Sequence, residues 1–316
     1  MQEEWIPFVR KCDESNALSP SYLFAASMTL APMRLISAVL LLIICGLGTV
    51  TLNQAGVRAM TRWGSRTILG VFGIRVRNIG TRVPTQEASC IVSNHVSILD
   101  ILVLLSMNCC FVAKDEIKKL WVIGRVAELI GCIFVCRDSP ASRATAKQLI
   151  KDTLLYNSSC SVGSQAQLVI FPEGTTTNGY GLIQFRRGAF ESGVTIQPVR
   201  LEYSNLECSM ALLNTLDLIL LISVLNSSEI TVHFLSPIQS SLDTEAAETM
   251  ASYCRSLIAS TKNVYNRIEN LKLYDYGSHR AHNILEKMIV DRLKANSIVS
   301  SLKSSAVLPI SDVDKN

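Results

Sequence analysis

A histidine and an aspartate five positions apart, His95 and Asp100, stand in the stretch Ser93-Asn94-His95-Val96-Ser97-Ile98-Leu99-Asp100. The chain holds only four histidines, and His95 alone has an aspartate this close after it in an apolar setting. An imidazole steadied by a carboxylate can take a proton from an alcohol and turn its oxygen into a nucleophile. On a straight helix, however, residues five apart point about 140° away from each other, at 3.6 residues per turn. The pair can meet only if His95 lies outside the helix that carries Asp100. Local sequence supplies that arrangement. Ala88 to Val92 reads as a short buried strand and Ile98 to Met107 as the apolar start of a helix, while Ser97 with Asp100 fits the S-x-x-D capping box. His95 then sits in the turn before the helix. The same residues allow a plainer reading, in which Asp100 only caps the helix and His95 is a satisfied core residue.

A second cluster lies downstream. Gln167 to Phe171 is a largely apolar run, broken abruptly by Pro172-Glu173-Gly174-Thr175. An acidic residue followed by Gly and Thr at the carboxyl end of a strand suits the rim of an α/β site. Glu173 can accept hydrogen bonds from substrate hydroxyls, Gly174 permits close backbone approach, and Thr175 can donate. An ordinary strand-to-loop exit would look the same.

Further blocks follow the same order along the chain: Phe111-Val112-Ala113-Lys114-Asp115-Glu116, then Gly131-Cys132-Ile133-Phe134-Val135-Cys136-Arg137. After the Glu173 cluster come Phe185-Arg186-Arg187-Gly188-Ala189-Phe190 and Ile196-Gln197-Pro198-Val199. Together these resemble the glycerolipid acyltransferase family, marked by H-x-x-x-x-D and then F-P-E-G-T, and within it the lysophosphatidylcholine acyltransferase subgroup. The resemblance runs from about Pro32 to Leu235. It implies an α/β fold with a mixed sheet flanked by helices, behind an N-terminal hydrophobic membrane anchor. It also implies His95 as general base, Asp100 as its orienting partner, and acyl-CoA as co-substrate with no cofactor or metal. Arg137 and Glu173 would help hold the acceptor head group, with Gly174 and Thr175 beside them. Lys114 and Arg187 are further basic candidates at the substrate. A guanidinium fork matches phosphate geometry, which gives Arg137 a physical rationale as well.

Composition agrees with a membrane-associated enzyme. Hydrophobic residues make up 48% of the 316 and charged residues only 18%. The net charge of +4 is a mild bias toward anionic surfaces, and no basic run with interleaved aromatics appears, which disfavours nucleic acid. Ten cysteines occur without C-x-x-C pairs, favouring a reducing compartment over a disulfide framework or structural zinc. Leu35 to Leu52 carries no charge over about 18 residues, near the minimum to cross a hydrocarbon core. One spanning helix and a hairpin returning to the same face both fit. Arg58, Arg62 and Arg66 follow the apolar stretch, and Arg10 and Lys11 precede it, so the positive-inside rule leans toward a cytoplasmic catalytic side. The expected setting is the endoplasmic reticulum membrane.

Strands and helices alternate beyond this anchor. Strand candidates are Ile74 to Val76, Cys90 to Ser93, Phe111 to Ala113, Ile133 to Cys136, Gln167 to Phe171, Ile196 to Leu201 and Ile230 to Phe234. Helices are expected over Ile98 to Met107, Ile117 to Leu129 and Ser142 to Leu155. The chain divides into an anchor segment at 1–60, an acyltransferase domain at 61–240 and a helical tail at 241–316. In that tail Leu285, Met288, Ile289 and Leu293 follow helical spacing. Three functions fit: transfer of an acyl group to a lysophospholipid, the same chemistry on glycerol 3-phosphate or lysophosphatidic acid, and a non-catalytic membrane or lipid-droplet scaffold.

Overall fold

A computed structural model of the chain describes residues 25–26, 28–136, 140–159 (backbone only at 140, 141 and 143), 166–177, 179, 181–204, 219, 222–223 and 228–260. The run at 285–293 with helical spacing lies outside them.

Helix α1 (Leu30–Thr51) runs into α2 (Gln54–Val71), capped by the Asn53 side chain, which accepts from Gly56 N. Then β1 (Ile74–Ile79), β2 (Cys90–Ser93), α3 (Ile98–Leu105) and β3 (Cys109–Lys114) alternate, followed by α4 (Asp115–Lys118), α5 (Trp121–Ile130) and β4 (Ile133–Val135). Helix α6 (Pro140–Ser159), β5 (Gln167–Ile170), β6 (Thr195–Tyr203), β7 (Ser228–Phe234), β8 (Ile238–Gln239) and α7 (Thr244–Ser260) complete the described chain.

The strands form one mixed sheet in the order β1-β7-β6-β2-β5-β3-β4, with β8 added to β6. Only the β6–β7 and β6–β8 pairings are antiparallel. Side chains alternate across the pleat, and the core divides accordingly. Ile91, Val169 and Val199 join Leu99 and Val103 of α3 and Leu69 of α2 on one face. Cys90, Val92, Leu168 and Ile196 join Leu154 of α6 and Ala247, Ala251, Cys254 and Ile258 of α7 on the other. Helices on both faces explain why the central strands read as unbroken apolar runs rather than alternating ones.

The mixed α/β architecture and all seven strand positions expected from sequence are present. Three helical features differ. The single helix expected over Ile117 to Leu129 is two, because Gly124 of α5 sits directly on the last carbonyls of α4, where a side chain would collide with Ile117 O and Lys118 O. Helix α2 carries Arg58, Arg62 and Arg66, and its weak overall hydrophobicity hides a narrow buried stripe of Val57, Thr61, Gly64, Ser65 and Leu69. Helix α7, in the segment read as a tail, buries its small residues in the second core cluster.

Candidate active site

Strand β2 is central, with β5 and β6 parallel on either side, so the loops leaving their carboxyl ends meet at one rim. Val92 lies opposite Ile170 in that register. Continuing both strands by three residues brings His95 level with Glu173. The structure closes that approach with a hydrogen bond of 2.9 Å from His95 N to Glu173 Oε1. The His95 carbonyl accepts from Thr177 N at 2.8 Å. Both polar backbone groups of His95 are thus held by the loop after β5.

The side chain is held as firmly. His95 Nδ1 lies 2.8 Å from Asp100 Oδ2. The same oxygen accepts from Val96 N at 2.6 Å and Ser97 N at 2.9 Å. Asp100 Oδ1 accepts from the hydroxyl of Tyr203, at the end of β6. Asp100 is fully buried and carries four donors. It caps the helix and orients the imidazole at once, so the two sequence readings of this residue are not alternatives. A carboxylate surrounded by donors requires Nδ1 to donate as well, which leaves Nε2 with the free lone pair. The ring is 18% exposed. Phe171 stacks on it with centroids 4.1 Å apart and planes within 12°, and Phe111 continues that aromatic layer.

Two positioning residues escaped the sequence reading. Tyr203 is one; Asn94 is the other. The Asn94 amide accepts from Leu201 N at 2.8 Å and donates to Leu201 O at 3.0 Å. It stitches the turn before His95 to β6, two residues from Tyr203. The local signal was slight: a buried-strand Tyr and an Asn in a turn are common, and their partners are more than a hundred residues away.

Glu173 is fully buried, with Oε2 facing Ile183 N at 3.4 Å. Burial pushes its carboxyl up to about 8, against the backbone donors of His95 and Ile183 that pull it down, and nearby Asp100 adds to the rise. Gly174 adopts φ +74°, a left-handed conformation that favours glycine. Thr175 is half-buried in the same loop. Lys114 ends β3 on the same rim, two strands from β2, and is exposed. Arg187 is turned aside: its Nε pairs with the buried Glu191 at 2.8 Å, and Lys147 of α6 reaches the same carboxylate. Arg137 lies outside the described residues.

Residues 74–202 match the family model described as acyltransferase. Over that stretch the chain resembles acyltransferases. The chain is 30% identical over 218 residues to a lysophosphatidylcholine acyltransferase of Drosophila melanogaster, covering 63% of this chain and 40% of that protein. It is 38% identical over 121 residues to the lysophospholipid acyltransferase LPEAT1 of Arabidopsis thaliana, covering 37% and 30% respectively. The matches thus span less than half of those relatives' lengths. The chain also shares its fold with the crystal structure of the 1-acyl-sn-glycerophosphate acyltransferase PlsC from Thermotoga maritima. There the TM-score is 0.56 at 14% identity, covering 78% of this chain and all of that one. Asn94, His95, Asp100 and Glu173 lie within the matched residues, and Tyr203 lies one residue beyond them.

Proposed function

We propose that the chain transfers a fatty acyl group from acyl-CoA to the free hydroxyl of a lysophospholipid. The observation that carries this reading is the His95–Asp100 pair, whose buried carboxylate is fixed by four donors while the imidazole keeps Nε2 at the rim. Nε2 takes the hydroxyl proton as the oxygen attacks the thioester carbonyl. The tetrahedral intermediate then collapses, the C–S bond breaks, and CoA leaves as thiolate, regaining a proton to give the free thiol. A thioester is already activated, so no covalent enzyme intermediate is required, and positioning supplies much of the acceleration. Glu173 and Thr177 contribute by holding the His95 backbone, and Tyr203 and Asn94 by holding Asp100 and the turn. The intact pair and its supports favour catalysis over a scaffold.

The acceptor resides in a bilayer, and the chain has a surface suited to one. Helix α1 is 22 residues long and apolar enough, by length and composition, to cross a membrane. One face packs along the domain: Arg34 donates to Ser223 O, Gly46 meets Val122 of α5, and Gly48 meets Met60 of α2. The opposite face exposes Ile36, Val39, Leu40, Ile43, Leu47 and Val50. This favours a helix held against the domain with its outer face in lipid, paired antiparallel with α2, over a projecting span. Trp121, next to Val122, is exposed and suits the interfacial layer. The setting we propose is the endoplasmic reticulum membrane, with the catalytic rim on the cytoplasmic side.

Purified protein incubated with radiolabelled acyl-CoA and a panel of acceptors tests the reading. Lysophosphatidylcholine, lysophosphatidylethanolamine, lysophosphatidic acid and glycerol 3-phosphate belong in that panel. Labelled diacyl phospholipid from the first two is the expected product. Preference for either of the last two would move the acceptor to the simpler phosphates, and thioester hydrolysis without transfer would overturn acyl transfer itself.

A further inference from the structure

Two adjacent arginines, Arg186 and Arg187, enter the turn after the Glu173 loop, and the structure sends them in opposite directions. Arg187 faces Glu191, together with Lys147. Its charge is spent on a buried carboxylate that ties the turn to α6. Arg186 turns back toward the rim. Its backbone N donates to Pro172 O at 2.9 Å, and its guanidinium lies close against Gly174. A Cβ on Gly174 would stand 2.9 Å from both Cζ and Nε of Arg186, and 3.2 Å from Nη2. The bare glycine is what lets the guanidinium reach this position. Gly174 adjoins Glu173 and sits inside the loop that holds His95 at Glu173, Thr177 and the Phe171 ring. Arg186 remains exposed.

We propose that Arg186, seated on Gly174, is the guanidinium that binds a substrate phosphate at this rim, in place of Arg187, the neighbour that the sequence analysis named. The proposal rests on the acyl-transfer reading, in which both substrates carry phosphate. The shared chemistry is a phosphate oxygen pair accepting from the guanidinium fork. The phosphate belongs either to the acceptor head group or to CoA.

The test is a set of initial rates with acyl-CoA varied at fixed lysophosphatidylcholine, and the reverse. Arg186→Ala should raise KM for one of the two substrates by roughly tenfold to a hundredfold, the loss of a charge-assisted contact. The kcat should stay within about threefold, because the group binds and does not react. A rise for lysophosphatidylcholine assigns the acceptor phosphate, and a rise for acyl-CoA assigns CoA. Arg186→Lys, which keeps the charge and loses the fork, should fall between. Unchanged KM values for both substrates in Arg186→Ala, or a fall in kcat alone, would overturn the proposal.

A second readout needs no turnover and separates failure here from failure of the acyl-transfer reading. CoA and glycerol 3-phosphate are each tested for protection against thermal unfolding of the wild type and Arg186→Ala. Loss of protection by one of them in the variant supports the phosphate site even if no acyl transfer is seen. Equal protection of both proteins, or none of either, overturns it.

Discussion

Among the described residues stand two histidine–carboxylate pairs of nearly equal length. His95 Nδ1 lies 2.8 Å from Asp100, and His233 Nε2 lies 3.0 Å from Glu202, with imidazoles 18% and 17% exposed. Distance and exposure do not separate them. Their surroundings do. His233 sits within β7, directly opposite Arg200 in the antiparallel ladder, and reaches diagonally to Glu202 on the same partner strand. Glu202 is itself 19% exposed. The contact is a cross-strand hydrogen-bonded pair of the kind that adds modestly to sheet stability. His95 stands in a loop at the carboxyl rim, and its carboxylate is fully buried under four donors. A base that must present one nitrogen to a substrate needs the other nitrogen fixed by a partner that cannot turn away. Only the first pair meets that need.

The comparison breaks most sharply at the imidazoles. His95→Ala should lower acyl transfer by about 10³ to 10⁴-fold, the upper range for a lost general base, while the protein still sediments with membranes. Near-normal turnover by that variant would end the mechanism. Asp100→Asn follows, with a loss on the order of 10² to 10³-fold in kcat. The amide cannot accept from all the donors that Asp100 now serves. If this variant melted early yet kept its kcat per folded molecule, capping alone would explain Asp100.

Tyr203→Phe sharpens the contrast, since it removes the hydroxyl through which β6 holds the buried Asp100. It removes one hydrogen bond to a buried charge, a loss of about 1.5–3 kcal/mol in stability. A roughly tenfold drop in kcat should accompany it as Asp100 gains freedom. Unaltered kinetics with only a lower Tm would confine Tyr203 to folding.

Glu173 offers a pH test. Burial raises its carboxyl from an ordinary 4.5 to about 8, so the folded chain binds more protons than the unfolded chain between those values. The resulting stabilisation is complete below the unfolded value and is lost as pH rises through about 8. Wild-type Tm should therefore decline over that window, and Glu173→Gln should flatten the decline. Parallel Tm–pH curves for the two proteins would count against a protonated Glu173. The smallest effect belongs to the other pair. His233→Ala should change acyl transfer by less than about twofold and stability by at most about 1 kcal/mol, as for a partly exposed pair. A large loss of activity there would dissolve the distinction between the pairs.

Much of this arrangement is local and was legible in the chain. The Ser97–Asp100 capping box requires only four consecutive residues, and it forms as expected, with Asp100 accepting from Ser97 N. The apolar runs at Cys90 to Ser93 and Gln167 to Phe171 become neighbouring parallel strands, and the abrupt breaks after them become the rim. The division of α4 from α5 at Lys119 and Leu120 was not legible, because Gly124 packs on the carbonyls of the preceding helix, a contact that the helix's own period does not show.

What the sequence by itself determined is the set of short-range commitments: which runs pair as strands, where the helix after His95 begins, and which polar groups stand at the strand ends. Tertiary structure decided how those groups are used. Asn94 and Tyr203 reach their partners only because β6 lies beside β2 in one particular register. That same assembly folds Glu173 inward onto the His95 amide, and sends Arg187 to Glu191 while Arg186 lies over Gly174. The physical reason is range: caps and periodicity act over a few residues, whereas a side chain's partner across the sheet is set by long-range strand pairing that local pattern does not encode.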